Sequence, residues 1–351
     1  MQQLQETVGP RTVPPPDGAS DVLRDAIAGT PERILQRMRW LREVPDSEAG
    51  WLALIAASDQ AMAREVRAAI DQSAASVERD EIAGVTVYHV TPDEIDPEHE
   101  GHLFVHVHGG AYIFAGGEAC VAEALAIALG TRMRALSIDY RMAPRHPYPA
   151  AVDDVVAVYR HLRTGRPARS MAMGGSSAGG GLTLSAVQHL IEQGVEVPGA
   201  LFVGTPGSDL SGTGDTIFTN QGVDRNIPFY NGLIEGALRL YAGGRSLKDP
   251  RISPIYGTFD GFPPTLLATG TRDLFLSNTV RTHIKLRQAG TPADILVYEG
   301  ASHGDYLHEL ASPESQHFLA ELDRFFTRHL RVSKPVKKMM AHMDSALGLN
   351  L

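Results

Sequence analysis

Gly175-Ser176-Ser177-Ala178-Gly179 lies between a short apolar run, Met171-Ala172-Met173, and a segment of helical character that begins at Gly180. Glycines two residues before and two after a serine permit a turn too sharp for most side chains, because neighbouring backbone passes where a Cβ would stand. Such a turn joins a strand to a helix. It presents the serine hydroxyl at the strand tip and beside the helix N-terminus, where developing negative charge is favoured. The pattern reads Ser177 as a nucleophile. The shifted register, with Gly174 and Ala178 as the small residues, leaves Ser176 as an alternative.

The rest of the chain alternates in the way such a junction requires. Apolar runs at Val85–Val90, Leu103–His108, Ala135–Asp139, Leu201–Val203, Thr265–Ala268 and Ile295–Tyr298 read as strands. Segments of helical pattern fall between them, at Ala119–Leu129, Ala150–Leu162, Gly180–Ile191, Asn278–Gln288 and Ser315–His329. Strands separated by helices imply an α/β fold, with a mostly parallel central sheet covered on both faces. Residues 1–75 form an N-terminal cap, and its residues 18–75 read as helical. A proline-rich lead-in (Pro10, Pro14, Pro15, Pro16) precedes one helix from Pro31, with Ile34, Leu35, Met38 and Leu41 on one face, and a second from Ser47 to Ile70. Residues 76–331 are the catalytic domain, interrupted by a Gly-, Asp-, Thr- and Asn-rich insertion at about 207–250 that turns helical at Leu233–Leu240. Residues 332–351 form a C-terminal tail with amphipathic character.

Composition narrows the function classes. The 351 residues carry a net charge of −9 and no long basic run in the body of the chain, which disfavours nucleic-acid binding. Apolar runs fall well short of the ~18 residues a membrane span needs, and the N-terminus has neither a basic nor an apolar targeting region. A cytoplasmic protein is the expectation. Cys120 is the single cysteine, so no intrachain disulfide can form, and it reads as a small buried residue.

A serine hydroxyl attacks esters poorly without a base. His303 follows the last apolar strand in Glu299-Gly300-Ala301-Ser302-His303 and is the candidate base; His308 is its nearest rival. Asp273, after the strand Leu266-Leu267-Ala268, is the candidate acid that orients the imidazole. Asp260 reads as a turn residue, and Asp305 is too close to His303 in sequence to be its natural partner. His108-Gly109-Gly110 ends another strand. Its Gly109 and Gly110 N–H groups, with that of Ala178, are expected to donate to the tetrahedral oxyanion. His108 itself is expected to anchor that loop. His102, His106 and His108 suggest a metal site, but no second ligand cluster accompanies them, so neither metal nor cofactor is expected.

These segments resemble the hormonesensitive-lipase-like family of bacterial α/β-hydrolase carboxylesterases. The resemblance rests on His108-Gly109-Gly110-Ala111-Tyr112, the stretch Asp139-Tyr140-Arg141-Met142-Ala143-Pro144-Arg145-His146-Pro147-Tyr148-Pro149-Ala150-Ala151, Gly175 to Gly180, Asp273-Leu274 and His303-Gly304. It covers residues 80–331. It implies the α/β-hydrolase fold with a helical cap, and hydrolysis of small, short-acyl esters through an acyl-enzyme. It gives Asp139–Ala151 a structural role beside the oxyanion loop. Family members often pair through the sheet edge, so a homodimer is among the arrangements it implies. Three positions depart from the pattern: Ala111 replaces a third glycine, Ser176 replaces an aspartate, and Arg145 stands where a glutamate is common.

Tyr112, Ser176, Trp40 and Phe229 are candidate substrate-pocket residues, with Trp51, Phe218 and Tyr230 as further cap aromatics. A lactonase, amidase or deacetylase would use the same machinery. A receptor that kept the fold and lost the chemistry is the reading from another class; such proteins usually lack a triad member, and here all three are present.

Overall fold

The computed structural model describes residues 12–29, 40–308 and 310–331. Among them, eight strands form one sheet: β1 (Ala75–Ile82), β2 (Val85–Pro92), β3 (Leu103–Val107), β4 (Ala135–Asp139), β5 (Met171–Ser176), β6 (Ala200–Gly204), β7 (Thr265–Gly270) and β8 (Ala293–Tyr298). The spatial order is β1-β2-β4-β3-β5-β6-β7-β8. β1 and β2 pair antiparallel, as do β2 and β4, and the remaining pairs run parallel. This is the mostly parallel, helix-covered sheet that the sequence implies.

Strands β3, β5, β6 and β7 are buried along their whole length, which is why they read as unbroken apolar runs. Their side chains alternate between two cores. Val105, Val107, Met171, Met173, Leu201, Val203 and Leu267 face one core, with helices α4 (Ala150–Gly165) and α5 (Ala178–Glu192). Phe104, Ala172, Ala200, Phe202, Leu266 and Ala268 face the other, with α3 (Val121–Thr131) and α10 (Pro313–His329). Helix α10 starts where Ser312 accepts from the Ser315 N–H at 3.1 Å and Pro313 occupies the first turn.

One expectation fails. The sequence reading extends helical structure to residue 75 and begins the sheet at Val85, yet Ala75–Ile82 is a strand. It is an edge strand, polar and charged along most of its length, so it lacks the alternation that marks a half-buried strand. Its turn, Ala83-Gly84, takes positive φ at both residues (53° and 79°), the geometry of a tight hairpin.

The N-terminal part contributes α1 (Asp21–Ala28) and α2 (Glu48–Asp71). Ser47 caps α2 by accepting from the Gly50 N–H at 3.2 Å. The helix expected from Pro31 lies outside the described residues except for its end at Trp40 and Leu41, and so does the tail 332–351. The insertion after β6 holds α6 (Thr216–Thr219) and α7 (Leu233–Ala242). The two pieces touch. A Cβ on Gly236 would stand 2.9 Å from the Trp51 ring and 3.4 Å from Val44, and one on Gly232 would stand 2.7 Å from the Leu41 carbonyl. The Arg42 guanidinium lies 4.6 Å over the Phe229 ring. Two further helices close the chain's C-terminal half, α8 (Leu276–Gln288) and the short α9 (Asp305–His308). No helix among the described residues is long and apolar enough to cross a membrane.

Candidate active site

Ser177 sits between β5 and α5 with φ 59° and ψ −121°, a conformation that costs a side-chain-bearing residue on the order of 1–3 kcal/mol. The surroundings hold it there. Its N–H donates to the Gly204 carbonyl at 2.9 Å, and its carbonyl accepts from Gly207 at 2.8 Å and Gly181 at 3.1 Å. The flanking glycines are obligatory for a packing reason. A Cβ on Gly175 or Gly179 would come within 1.8 or 1.9 Å of the Val107 carbonyl oxygen, which is backbone and cannot yield. Ser176 turns the other way. Its hydroxyl donates to Glu123 at 3.0 Å and lies 3.2 Å from the Tyr306 hydroxyl, so it is held by polar partners at the rear of the elbow.

The next strand end brings in the acid and the base. Thr205 follows β6 directly, and its hydroxyl donates to Asp273 and lies 3.0 Å from His303 Nδ1. Thus Gly204, whose carbonyl accepts from the Ser177 N–H, is followed by a residue that touches both Asp273 and His303. Asp273, buried after β7, accepts at Oδ1 from His303 Nδ1 at 2.9 Å and from the Phe275 N–H at 2.8 Å. Its Oδ2 accepts from Thr205 and from Thr269 at 2.6 Å. Burial raises the Asp273 pKa, but the His303 charge and these donors outweigh it and hold the carboxyl below its usual range. For His303, burial lowers the pKa, while Asp273, with Asp224 and Asp305 behind it, raises it further, so the net shift is upward. With Nδ1 committed to Asp273, the buried Nε2 has no hydrogen-bond partner among the described residues. It is the atom on which a proton can be taken up. The ring packs edge-on against Phe275 at 5.1 Å.

Among the oxyanion candidates, Gly109 approaches the elbow. A Cβ on Gly109 would stand 3.5 Å from the Ser177 Cβ and 3.0 Å from the Ser176 carbonyl, so backbone approaches the nucleophile closely there. Gly110 takes φ 106°, and a Cβ would meet the Phe114 carbonyl at 2.3 Å. Ala178 opens α5. Ala111, at φ 52°, and Tyr112, at φ 63°, continue the tight turn despite carrying side chains. His108 Nδ1 donates to the Gly109 carbonyl at 2.7 Å, and burial drives its pKa down to about 3, so it is a neutral anchor. The stretch Asp139–Ala151 braces it from below. Tyr140 stacks on the His108 ring at 4.0 Å and donates to the His108 carbonyl at 2.8 Å. Arg141 clamps Asp154 in a bidentate pair, and Asp139 accepts from the Gly117 N–H at 2.9 Å.

The remaining aromatic candidates fall in different places. Tyr112 is buried and stacks on Tyr241 of α7 at 3.9 Å. Trp40 is half-buried, 5.8 Å from Phe114. Phe229 is buried beneath Arg42. Trp51 is buried in the cap, and Phe218 is exposed.

His102, His106 and His108, in and around β3, do not converge on one centre. His106 bonds Ser137 at 2.9 Å, and His102 bonds His99, which in turn bonds Asp323. Among the described residues, the one group with ligand atoms close enough for a metal is Asp224, Asp273 and His303. Its donors are already engaged: three backbone N–H groups hold Asp224, and Asp273 holds His303 Nδ1.

Sequence reasoning missed Thr205, Thr269, Asp224 and Asn226. The first two carried a faint signal, a polar residue at the end of an apolar strand. The other two lie in an irregular insertion with no periodicity to place them.

Comparison with known proteins agrees with this fold. Residues 104–307 match the family described as alpha/beta hydrolase fold. The crystal structure of an esterase, E25, superposes with a TM-score of 0.90 at 54% identity, covering 93% of this chain and 99% of that one. An esterase from the bacterial hormone-sensitive lipase family superposes at 0.74 with 26% identity, over 89% and 99% of the two chains. A putative acetyl-hydrolase of Mycobacterium tuberculosis is 31% identical over 258 residues, which are 73% of this chain and 82% of that protein. The strand-tip serine, the buried Asp–His pair and these matches lead to one assignment: the chain belongs to the hormone-sensitive-lipase-like family of α/β-hydrolase esterases.

Proposed function

We propose that the protein is a serine carboxylesterase for small, short-acyl esters, acting through Ser177, His303 and Asp273. The observation that carries this reading is the buried His303 imidazole. Its Nδ1 is fixed by Asp273, its buried Nε2 has no hydrogen-bond partner among the described residues, and Thr205, which touches the ring, directly follows Gly204, the acceptor of the Ser177 N–H. In the first half-reaction Nε2 takes the Ser177 proton as Oγ attacks the ester carbonyl, and the Gly109, Gly110 and Ala178 N–H groups receive the oxyanion. The imidazolium then protonates the leaving alcohol. In the second half-reaction a water, deprotonated by the same Nε2, releases the acid.

A short acyl group is supported by the name of the acetyl-hydrolase relative and by the crowding of Tyr112 and Tyr241 close to the elbow. The Tyr112 hydroxyl lies near Gly181 and Gly207, which flank the Ser177 carbonyl. Lactones, anilides and acetylated amines would meet the same groups. Initial rates over a panel of p-nitrophenyl esters, lactones and anilides test the preference, with C2–C4 esters expected to be the fastest. Ser177→Ala is expected to lower kcat by on the order of 10⁴-fold or more with folding intact, and Ser176→Ala to retain turnover. The opposite outcome for the two variants would move the nucleophile to Ser176.

A further inference from the structure

Asp224 is a buried carboxylate that the proposed reaction does not use. It lies in the insertion between β6 and β7, yet its oxygen falls within 4.8 Å of ligand atoms of both Asp273 and His303. Three backbone donors hold it. Asn226 and Ile227 N–H groups reach Oδ1 at 2.9 Å each, closing a local turn, and the Leu274 N–H reaches Oδ2 at 2.8 Å. Leu274 is the residue after the triad acid. The same turn grips the base. Asn226 Nδ2 donates to the His303 carbonyl at 2.8 Å and to Asp305 at 2.7 Å, while the Arg225 N–H donates to Ser302 Oγ at 3.1 Å. Asn220, from the same insertion, donates to the Asp273 carbonyl at 2.8 Å. Three consecutive residues of the insertion therefore fasten the loop carrying the acid to the loop carrying the base.

We propose that Asp224 is a positioning residue for the triad: its carboxylate grips the turn that carries Asp273 and faces the His303 imidazole, so the insertion fixes acid and base relative to one another. This rests on the serine-esterase reading above. A carboxylate buried at this distance also acts on the imidazole through space, because little water screens it. The titratable groups facing His303 are Asp273, Asp224, Asp305 and His308, and Asp224 is the carboxylate among them that neither bonds the ring nor lies on its loop. Burial, and then the Asp273 charge, push the Asp224 carboxyl above its usual range, the mark of a group held beside another acid.

Asp224→Asn keeps the size, removes the charge and leaves one side of the backbone grip without an acceptor, whereas Asn226→Ala cuts the grip on the His303 carbonyl while leaving the charge. Steady-state kinetics on p-nitrophenyl acetate are expected to show kcat lower by about 10- to 100-fold in both, with KM changed little, as for a reacting group displaced by a fraction of its optimum. The acid limb of kcat/KM is expected to move to lower pH in Asp224→Asn alone, because one of the charges that favour the imidazolium is gone. A purely structural contact would not move that limb. NMR titration of the His303 imidazole in the same variants reads this shift without reference to turnover, so the inference can fail separately from the serine-esterase reading. An imidazole titrating in Asp224→Asn as it does in the wild type would overturn the proposal. Where Asp224→Asn does not fold, wild-type kcat in the part-buried Asn226→Ala would overturn it equally.

Discussion

In the proposed reaction Ser177, His303 and Asp273 gain their reactivity from surroundings rather than from residue type. The imidazole is pulled down in pKa by burial and pushed up more strongly by Asp273, Asp224 and Asp305. Only the neutral ring can accept the serine proton, so protonation at low pH removes activity. The acid limb of kcat/KM is therefore expected at a midpoint above the ordinary histidine value of about 6.5. A pH–rate profile flat to well below 6 would contradict a histidine base in this setting. The strand-end positions of these three residues were legible in the sequence because each follows an apolar run, and the ends of parallel strands are where such sheets place ligands. Thr205 and Asp224 were not. Nothing in the residue type of Thr205 names the Asp273 and His303 that it touches, and Asp224 lies in an irregular insertion whose path no periodicity sets.

At the scale of elements, the oxyanion loop is held from several sides. Tyr140, at the end of β4, supports it through a ring stack and a hydrogen bond to the His108 carbonyl. From the cap, Asp59 of α2 accepts from the Ala115 N–H at 2.7 Å. Burial pushes the Asp59 carboxyl up to about 6. Tyr140→Phe keeps the stack and removes the hydroxyl, so it is expected to cost about 1 kcal/mol of stability and to lower kcat more than it raises KM. Urea denaturation with parallel kinetics checks this, and an unchanged kcat would show that the loop holds its shape without Tyr140. The elbow and its helix were fully legible, since Gly175 and Gly179 answer a backbone collision at Val107. The edge strand β1 was not, because solvent on both sides leaves no hydrophobic period to detect.

Across the whole molecule, two segments far apart in sequence meet over the same end of the sheet. Trp51 of the N-terminal part packs where Gly236 of the insertion leaves room, and the insertion in turn grips the acid and base loops. The N-terminal part is thus joined, through the insertion, to the loops that carry Asp273 and His303. Trp51→Ala is expected to cost about 3–5 kcal/mol, the loss for a buried aromatic, and to change the ratio of C2 to C8 ester rates. A destabilised variant with an unchanged chain-length profile would separate the cap from substrate choice. The α/β architecture was legible from the alternation of apolar runs, whereas the contact between the two cap pieces was not, because neither carries a pattern naming its partner.

The central claim is that Ser177 is activated by His303. Labelling with a fluorophosphonate probe, followed by peptide mapping, tests it most directly. One adduct is expected, on Ser177, absent in Ser177→Ala and formed far more slowly in His303→Ala. An adduct on Ser176, or labelling of Ser177 at an undiminished rate without His303, would contradict the account.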